Sequence, residues 1–479
     1  MFSIFRFRSL SAVLFLWLGS VSVAWASHAL GADISYEYAG TAASPDQYHV
    51  TVRLFRDLGS LVDDPFVTLT CGRNGCGTAT SGSFTVTVPR TSSTTISASC
   101  NSTPINYALS TYDGLVQLPP ASWTLSLDTQ NRASGVANIA NSQLQSIFVK
   151  AALNSTSGLL NSSPRFLVDR LIQLTSSQAQ QRYSIGAFDS DGDSLVYQLV
   201  QPLASPTPTA LCGTPTTGAI APQFQANAAT GELLTVAGPT QQGRYALAAR
   251  VDEYRRLNGT WQQIGSITRD MTYFVLAGNN QVPVFTRVAL ASAPSGQLLG
   301  QTIRVNPGTQ LALRLTATDP DAGQTLTLLG STAGTVPGVT VQDLGGGQAQ
   351  LNWQVPAMLP PGRYQLAATA LDNYCAAPAF TVATISVLVT QQVLATTTQQ
   401  PLAQAPFPVP FSEVVRFQFA GPGVQPVIIT DALGRTVAHL ETATDGRVAW
   451  QPAAALPAGL YFARNAAGTQ VARLQYSGN

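Results

Sequence analysis

Alternation of apolar and polar residues with a period of two recurs along this chain, and it rules out a mainly helical fold. Tyr48, Val50, Val52 and Leu54 stand against His49, Thr51 and Arg53, and Phe84, Val86 and Val88 stand against Thr85 and Thr87. The pattern returns in Leu311, Leu313, Leu315 and Ala317, and again in Val415, Phe417 and Phe419. Every second side chain of an extended strand shares one face, so these runs are half-buried strands. Gly, Pro, Asn and Asp clusters separate them as turns do. The sequence therefore predicts an all-β chain of packed sandwiches. One stretch is ambiguous: Phe166, Leu167, Leu171, Ile172 and Leu174 have helix-like spacing, close behind Pro164.

The N-terminus has the order of a secretory signal. Arg6 and Arg8 precede an apolar run from Leu10 to Val23, which ends in Ala24-Trp25-Ala26. A basic start, an apolar middle and an A-x-A end predict cleavage after Ala26. Gly19, Ser20 and Ser22 interrupt the run, which argues against a membrane anchor. Removing 26 of 479 residues leaves 453, enough for three or four domains. A net charge of +1 and a charged fraction of 10% give no electrostatic footprint for nucleic acid.

Export into an oxidising compartment permits disulfides among Cys71, Cys76, Cys100, Cys212 and Cys375. Cys71 and Cys76 close a short Gly-rich loop and form the first candidate pair, with Cys100 as the competing partner. No nearby His or second Cys pair completes a zinc set.

Self-comparison reveals two related units. Asp189-Ser190-Asp191-Gly192-Asp193-Ser194-Leu195 corresponds to the stretch from Asp319 to Leu326, and Gly243-Arg244-Tyr245 corresponds to Gly362-Arg363-Tyr364. Each Gly-x-Tyr strand runs on to an acidic residue, Asp252 or Asp372. The units span residues 165–278 and 282–391, behind a β-rich N-terminal region at residues 33–161. They resemble the immunoglobulin-like repeats of the polycystic-kidney-disease (PKD) and cadherin-like kind found in bacterial surface proteins. Taken with Gly231-Glu232-Leu233 and Ser266-Ile267-Thr268-Arg269-Asp270, the arrangement is similar to secreted proteins associated with gliding motility. The resemblance implies tandem immunoglobulin-like sandwiches.

After a Thr/Gln-rich linker at residues 395–404, the tail at residues 405–479 carries four blocks in order. These are Phe407-Pro408-Val409-Pro410-Phe411, then Asp431 followed by Gly434 and Arg435, then Trp450, and finally Leu456-Pro457-Ala458-Gly459-Leu460-Tyr461. The series resembles the type A sorting domain of the type IX secretion system. It departs from that family at Val409, where Asn is usual, and at Arg473, where Lys is common. The resemblance implies export across the outer membrane, with attachment to surface lipopolysaccharide as a frequent outcome. On the residues alone, Trp450, Leu460 and Phe462 are the expected core of a small terminal sandwich.

The catalytic inventory is thin. No His-Glu-x-x-His, Gly-x-Ser-x-Gly or phosphate-binding loop appears, and the three histidines are His28, His49 and His439. Glu37, Glu232 and Glu253 are the glutamates ahead of the tail, and no pairing among them is evident. The chain is read as a structural or adhesive surface protein rather than an enzyme. A second reading is a secreted glycan-binding or glycan-degrading protein, with Tyr107, Tyr112 and Trp123 as stacking platforms.

Asp189, Asp191 and Asp193 form the one metal-like cluster, with Asp252 as a fourth ligand if its strand ends beside the turn. Carboxylates gathered by a turn suit calcium, which takes 6 to 8 oxygens. Asp and Gly also favour turns for their own backbone hydrogen bonds. No other cofactor is expected.

Overall fold

The computed structural model describes residues 28–58, 64–74, 82–96, 105–175, 180–205, 212–236, 241–331, 334–374, 378–390, 401–432, 434–453, 456–466 and 468–478. The signal at residues 1–26 and Cys76, Cys100 and Cys375 lie outside them. The described residues are all-β apart from a three-residue 3-10 turn, Ser142–Leu144. No described helix is long and apolar enough to cross a membrane. The chain forms two compact units, residues 1–391 and 392–479.

The N-terminal region contributes β1 (Ala29–Tyr38), β2 (Gln47–Asp57), β3 (Phe66–Arg73), β4 (Phe84–Ile96), β5 (Tyr107–Gln117), β6 (Ser122–Thr129) and β7 (Ile147–Asn154). The next stretch contributes β8 (Arg165–Phe166), β9 (Gln173–Thr175), β10 (Arg182–Ser184), β11 (Ala187–Phe188), β12 (Ser194–Val200), β13 (Leu203–Ala204), β14 (Thr214–Pro215), β15 (Phe224–Ala226), β16 (Glu232–Thr235), β17 (Gly243–Leu257) and β18 (Thr260–Leu276). The helix-like stretch is thus two short strands joined by a loop. Its five apolar residues are all buried, and burial rather than helical periodicity sets their spacing.

The first unit's last part contributes β19 (Val284–Leu290), β20 (Thr302–Val305), β21 (Gln310–Thr318), β22 (Leu326–Gly330), β23 (Val339–Gly345), β24 (Gln348–Gln354), β25 (Gly362–Asp372) and β26 (Phe380–Val389). One of its sheets runs β19-β21-β24-β23 and the other β20-β26-β25-β22, with β20 parallel to β26. Named A to G in order, these are A-B-E-D and A′-G-F-C, the strand order of an immunoglobulin-like sandwich. Leu311, Leu313, Leu315 and Ala317 fill its core from β21, as their alternation predicts.

The stretch from β9 to β18 repeats that order. β10-β16-β15 stands for B-E-D, and β12-β17-β18 with parallel β9 stands for C-F-G-A′. The Gly-x-Tyr repeat now has a physical cause. Tyr245 Oη donates to Gln241 O at 2.8 Å, and Tyr364 Oη donates to Pro360 O at 2.7 Å. Each is a tyrosine corner, in which a Tyr at the start of strand F ties back four residues upstream.

The N-terminal region does not stand apart from this sandwich. Its end strands β1 and β7 both pair with β18, at Arg269 to Met271 and at Gly265 to Ile267. Two buried ion pairs reinforce the seam: Arg269 with Asp33 at 2.7 Å, and Arg132 with Asp270 at 2.7 Å. Removing one partner of such a pair leaves an uncompensated buried charge, so the seam is specific. Cys71 lies on the inward face of β3 as a free, fully buried thiol, and burial pushes its pKa up to about 12. That corrects the expected pairing of Cys71: strand alternation aims Leu69 and Cys71 together into the core.

The second unit consists of β27 (Gln404–Phe407), β28 (Val415–Gln418), β29 (Pro426–Asp431), β30 (Thr436–Glu441), β31 (Arg447–Trp450), β32 (Gly459–Asn465) and β33 (Val471–Tyr476). Sheets β27-β28-β31 and β30-β29-β32-β33 enclose Val415, Phe417, Phe419, Val427, Ile429 and Trp450. Leu460 and Phe462 are only half-buried, whereas Tyr461 and Ala463 face the core. The expected phase was off by one residue because Tyr461 is a third tyrosine corner, with Oη donating to Pro457 O at 2.6 Å.

Candidate functional site

The acidic turn between β11 and β12 sits where β17 ends. Gly192 makes it possible, with φ +78° and no side chain: a Cβ there would lie 2.7 Å from the Tyr364 hydroxyl. Asp189 Oδ1 accepts from the backbone N–H of Asp191 at 2.9 Å and of Asp193 at 3.3 Å. Asp191 Oδ2 accepts from the Ser162 N–H at 2.8 Å. These bonds fold the turn inward, so Asp189 and Asp193 are only 2% and 4% exposed.

Glu253 is the residue that sequence reasoning missed. From Tyr245 the alternation runs inward through Leu247, Ala249 and Val251 to Glu253, and all are buried. Counting in twos from the tyrosine corner finds it. Carboxylate oxygens of Asp189, Asp193 and Glu253 lie within 4.8 Å of one another. Gly265, opposite Glu253 on β18, leaves the room, since a Cβ there would collide with Glu253 Oε2. Asp252 points the other way and does not join the cluster. Gln198 donates to it, as do Arg250 at 2.9 and 3.1 Å and Gln263 at 2.8 Å.

Arg255 is the cationic partner of the turn. Its Nε donates to Asp193 Oδ1 at 2.6 Å, and its Nη2 reaches Asp193 Oδ2 at 2.5 Å, Asp191 Oδ2 at 3.1 Å and Asn161 Oδ1 at 2.7 Å. Asn161 Nδ2 donates to Glu253 Oε2 at 2.9 Å. Asp189 Oδ2 and Glu253 Oε1 are buried and receive no N–H or O–H donor while both groups are ionised; the carboxyls can bond to each other only by sharing a proton. Burial, and then the neighbouring Asp193, pushes Asp189 up to about 7, and burial beside Asp189 and Asp193 raises Glu253 well above the usual carboxylate range. Asp191 and Asp193 hold Arg255 charged against the effect of its burial.

A cluster that is buried, oxygen-only and over-supplied with carboxylate can do two things. It can retain protons, or it can take a hard divalent cation on Asp189, Asp193 and Glu253. The turn also packs on the following sandwich. Phe188 and Tyr364 rings lie 5.4 Å apart, Tyr183 and Phe380 rings 5.2 Å apart, and Thr381 Oγ1 donates to Arg182 O at 3.1 Å.

The remaining predicted site residues have structural surroundings. In the second unit Arg435 donates to Asp431 through Nε at 2.7 Å and through its backbone N–H at 2.9 Å, across a turn in which Gly434 has φ +82°. Trp450 packs edge-on against Tyr461 at 5.2 Å, and Leu456 packs against the same core. Pro408 and Pro410 are exposed, as are Gly459 and Pro457.

In the N-terminal region Tyr107, Tyr112 and Trp123 are 2% exposed or less, so they are core residues and present no face to a sugar. His49 lies 3.8 Å from Asp113, whose oxygens accept from Thr51 and Thr91 hydroxyls at 2.6 Å. Both hydroxyls are spent on the carboxylate. Glu37 pairs with Arg165, and Glu232 pairs with Arg182 at 2.6 Å.

No protein-family model and no curated protein matches the chain. Among solved structures it is similar to tandem immunoglobulin repeats of Dlar (11% identity, 47% of this chain and 97% of that one, TM-score 0.19). It is also similar to extracellular domains 3–5 of Drosophila OTK (11% identity, 66% and 97%, TM-score 0.16) and to titin domains I67–I69 (9% identity, 66% and 98%, TM-score 0.16). With scores this low, the fold assignment rests on the strand order and tyrosine corners.

Proposed function

We propose that this chain is an exported structural or adhesive protein of the cell surface, whose β-sandwiches are stiffened by calcium held at Asp189, Asp193 and Glu253. The observation that carries this reading is the pair of buried, unpartnered oxygens, Asp189 Oδ2 and Glu253 Oε1, facing a third carboxylate. Leaving such atoms unsatisfied costs about 1–3 kcal/mol each, more when charged, and a cation removes that cost. Placement of the turn against Tyr364 makes the joint between successive sandwiches the element that calcium stiffens. Calorimetric titration of the full chain with calcium should give one site, lost in Glu253→Gln and retained in Asp252→Asn. Equal binding by wild type and Glu253→Gln, or none by either, sinks the assignment.

The tail supports a route to the surface. Residues 405–479 form a compact sandwich of their own and carry the four blocks that resemble a type IX sorting domain. Their role is that of a signal read by the secretion machinery, with surface lipopolysaccharide as the attachment site. Cells expressing the chain without residues 405–479 should retain it in the periplasm. Equal surface or medium levels of both forms would remove this part of the reading.

A further inference from the structure

Trp261 is the feature that the cation reading leaves unused. Among the described tryptophans, Trp123, Trp353 and Trp450 are at most 2% exposed, whereas Trp261 is 62% exposed. It does not sit on a loose loop. The β17–β18 hairpin closes through Asn258 and Gly259, with φ of 50° and 84°, and Trp261 pairs with Arg256 immediately beyond that turn. Asn-Gly with both φ values positive is the tight hairpin turn that matches strand twist, so the indole stands on a rigid support. A large, rigid aromatic with one polar edge, held out in water, is a recognition element more readily than a packing one.

The indole borders a cavity of about 240 Å³. Its floor and walls are Ser194 and Leu195 at the start of β12, and Gly362, Arg363 and Gln365 of β25. Hydrogen-bonding side chains from two sandwiches therefore converge beside one aromatic face. Arg363 is exposed, and its Nη1 makes one long contact, 3.3 Å, to Thr302. Gln365 accepts from Ser386 through Oε1 at 2.9 Å and is 3% exposed, so the floor is fixed.

We infer that this cavity binds a single pyranose unit of a surface or extracellular polysaccharide, with its C–H face on Trp261 and its hydroxyls on Arg363, Gln365 and Ser194. A sugar ring has one apolar face and a polar rim, which matches an aromatic wall joined to a mixed donor and acceptor floor. An apolar peptide anchor would desolvate the exposed Arg363 guanidinium and offer it no acceptor beyond its long contact to Thr302, which disfavours it. The inference does not depend on the cation, although Asp193 and Gly192 of the acidic turn border the same cavity.

The exposed indole is its own reporter. Emission and acrylamide quenching of the full chain are measured with cellobiose, maltose, lactose and chitobiose, each up to about 10 mM, a range set by the weak affinity of a one-ring site. Calcium and chelator buffers are run in parallel, and a response in either supports the site. At least one sugar should shift emission to the blue and lower quenching by about half, because the covered ring loses its solvent access. The emission change should need several-fold more sugar in Arg363→Ala. Because Trp261→Phe also removes the reporter, its response is read as the heat of sugar binding by calorimetry, which should fall below detection while wild type gives a measurable heat. Trp261 is solvent-facing, so its replacement leaves melting nearly unchanged and separates lost binding from lost folding. Absence of any response to all four sugars overturns the inference. So does an equal heat of binding in Trp261→Phe, or displacement of the indole signal by an apolar peptide alone.

Discussion

The two acidic turns are built on one frame and differ in how their carboxylates are satisfied: burial raises the pKa of Asp319 and Asp372 as it raises that of Asp189 and Glu253, but that of Asp321 is lowered by its hydrogen bonds to Gln281. In the first, Asn161 donates to Glu253 and the Ser162 N–H donates to Asp191. In the second, Asn280 Nδ2 donates to Asp372 at 2.9 Å and the Gln281 N–H donates to Asp321 at 2.7 Å. Leu195 lies opposite Glu253 and Leu326 opposite Asp372, so Glu253 and Asp372 are structural equivalents. Three differences separate them. Gly323 takes the place of Asp193, Tyr374 takes the place of Arg255, and the shorter Asp372 takes the place of Glu253.

Asp372 is then satisfied within the chain, by Asn280 and by the N–H groups of Tyr374 and Ala379 at 3.0 Å. Asp321 is satisfied by Gln281 and Gln324, and its hydrogen bonds with Gln281 lower its pKa. Neutral amides close the second turn, although Asp319 Oδ2 still lacks a partner. The first turn retains carboxylates in excess of its one guanidinium. A turn that needs only to reverse the chain follows the second pattern, and the first carries a charge surplus that turn geometry does not require.

The largest test of this contrast is thermal. At calcium 100 times its dissociation constant, wild type should gain about 2.7 kcal/mol of stability. Glu253→Gln should show no gain, while Asp319→Asn should keep it. Loss of the gain in Asp319→Asn, with Glu253→Gln unaffected, would move the site to the second turn. In chelator, Glu253→Gln should be more stable than wild type at pH 8, by about 1–3 kcal/mol, because folding no longer has to bury the Glu253 charge or neutralise it with a proton.

Proton linkage gives the next effect. Asp189 is pushed up to about 7 in the folded chain, against about 3.9 when unfolded. A raised folded pKa means that the folded state holds the proton more tightly. The stability it contributes is full below about pH 4 and is lost as pH rises to about 7. Unliganded protein should therefore melt lower at pH 8 than at pH 5, and calcium, which favours the ionised cluster, should shrink the difference. A flat profile in chelator contradicts the buried carboxylate cluster.

Backbone effects should be smaller. Gly192→Ala meets both a positive φ of 78° and the Tyr364 hydroxyl, so it should cost about 2 kcal/mol. Gly323→Ala has φ +85° but open space around the added methyl, and it should cost about 1 kcal/mol. Equal costs in denaturant titrations would mean that the first turn does not press on the next sandwich. The smallest difference belongs to the corners. Tyr245→Phe and Tyr364→Phe should each lose about 1 kcal/mol, since each deletes one hydrogen bond to a backbone carbonyl.

By itself the sequence determined the all-β class, the repeat of two sandwiches and the inward faces of strands such as β2 and β21. Period-two alternation is a local property, and burial of one face follows from it directly. It also located the acidic turn, because Asp and Gly spacing is local as well. Tertiary structure decided the rest. Which of two adjacent residues faces a site depends on phase, and the tyrosine corners set that phase: Glu253 rather than Asp252 enters the cluster, and Tyr461 rather than Leu460 enters the tail's core. The union of the N-terminal strands with β18, the burial of Cys71, Tyr107, Tyr112 and Trp123, and the cavity that Trp261 and Arg363 both line all depend on residues far apart in the chain. Such contacts are fixed by which sheets pair and pack, and no local pattern encodes that choice.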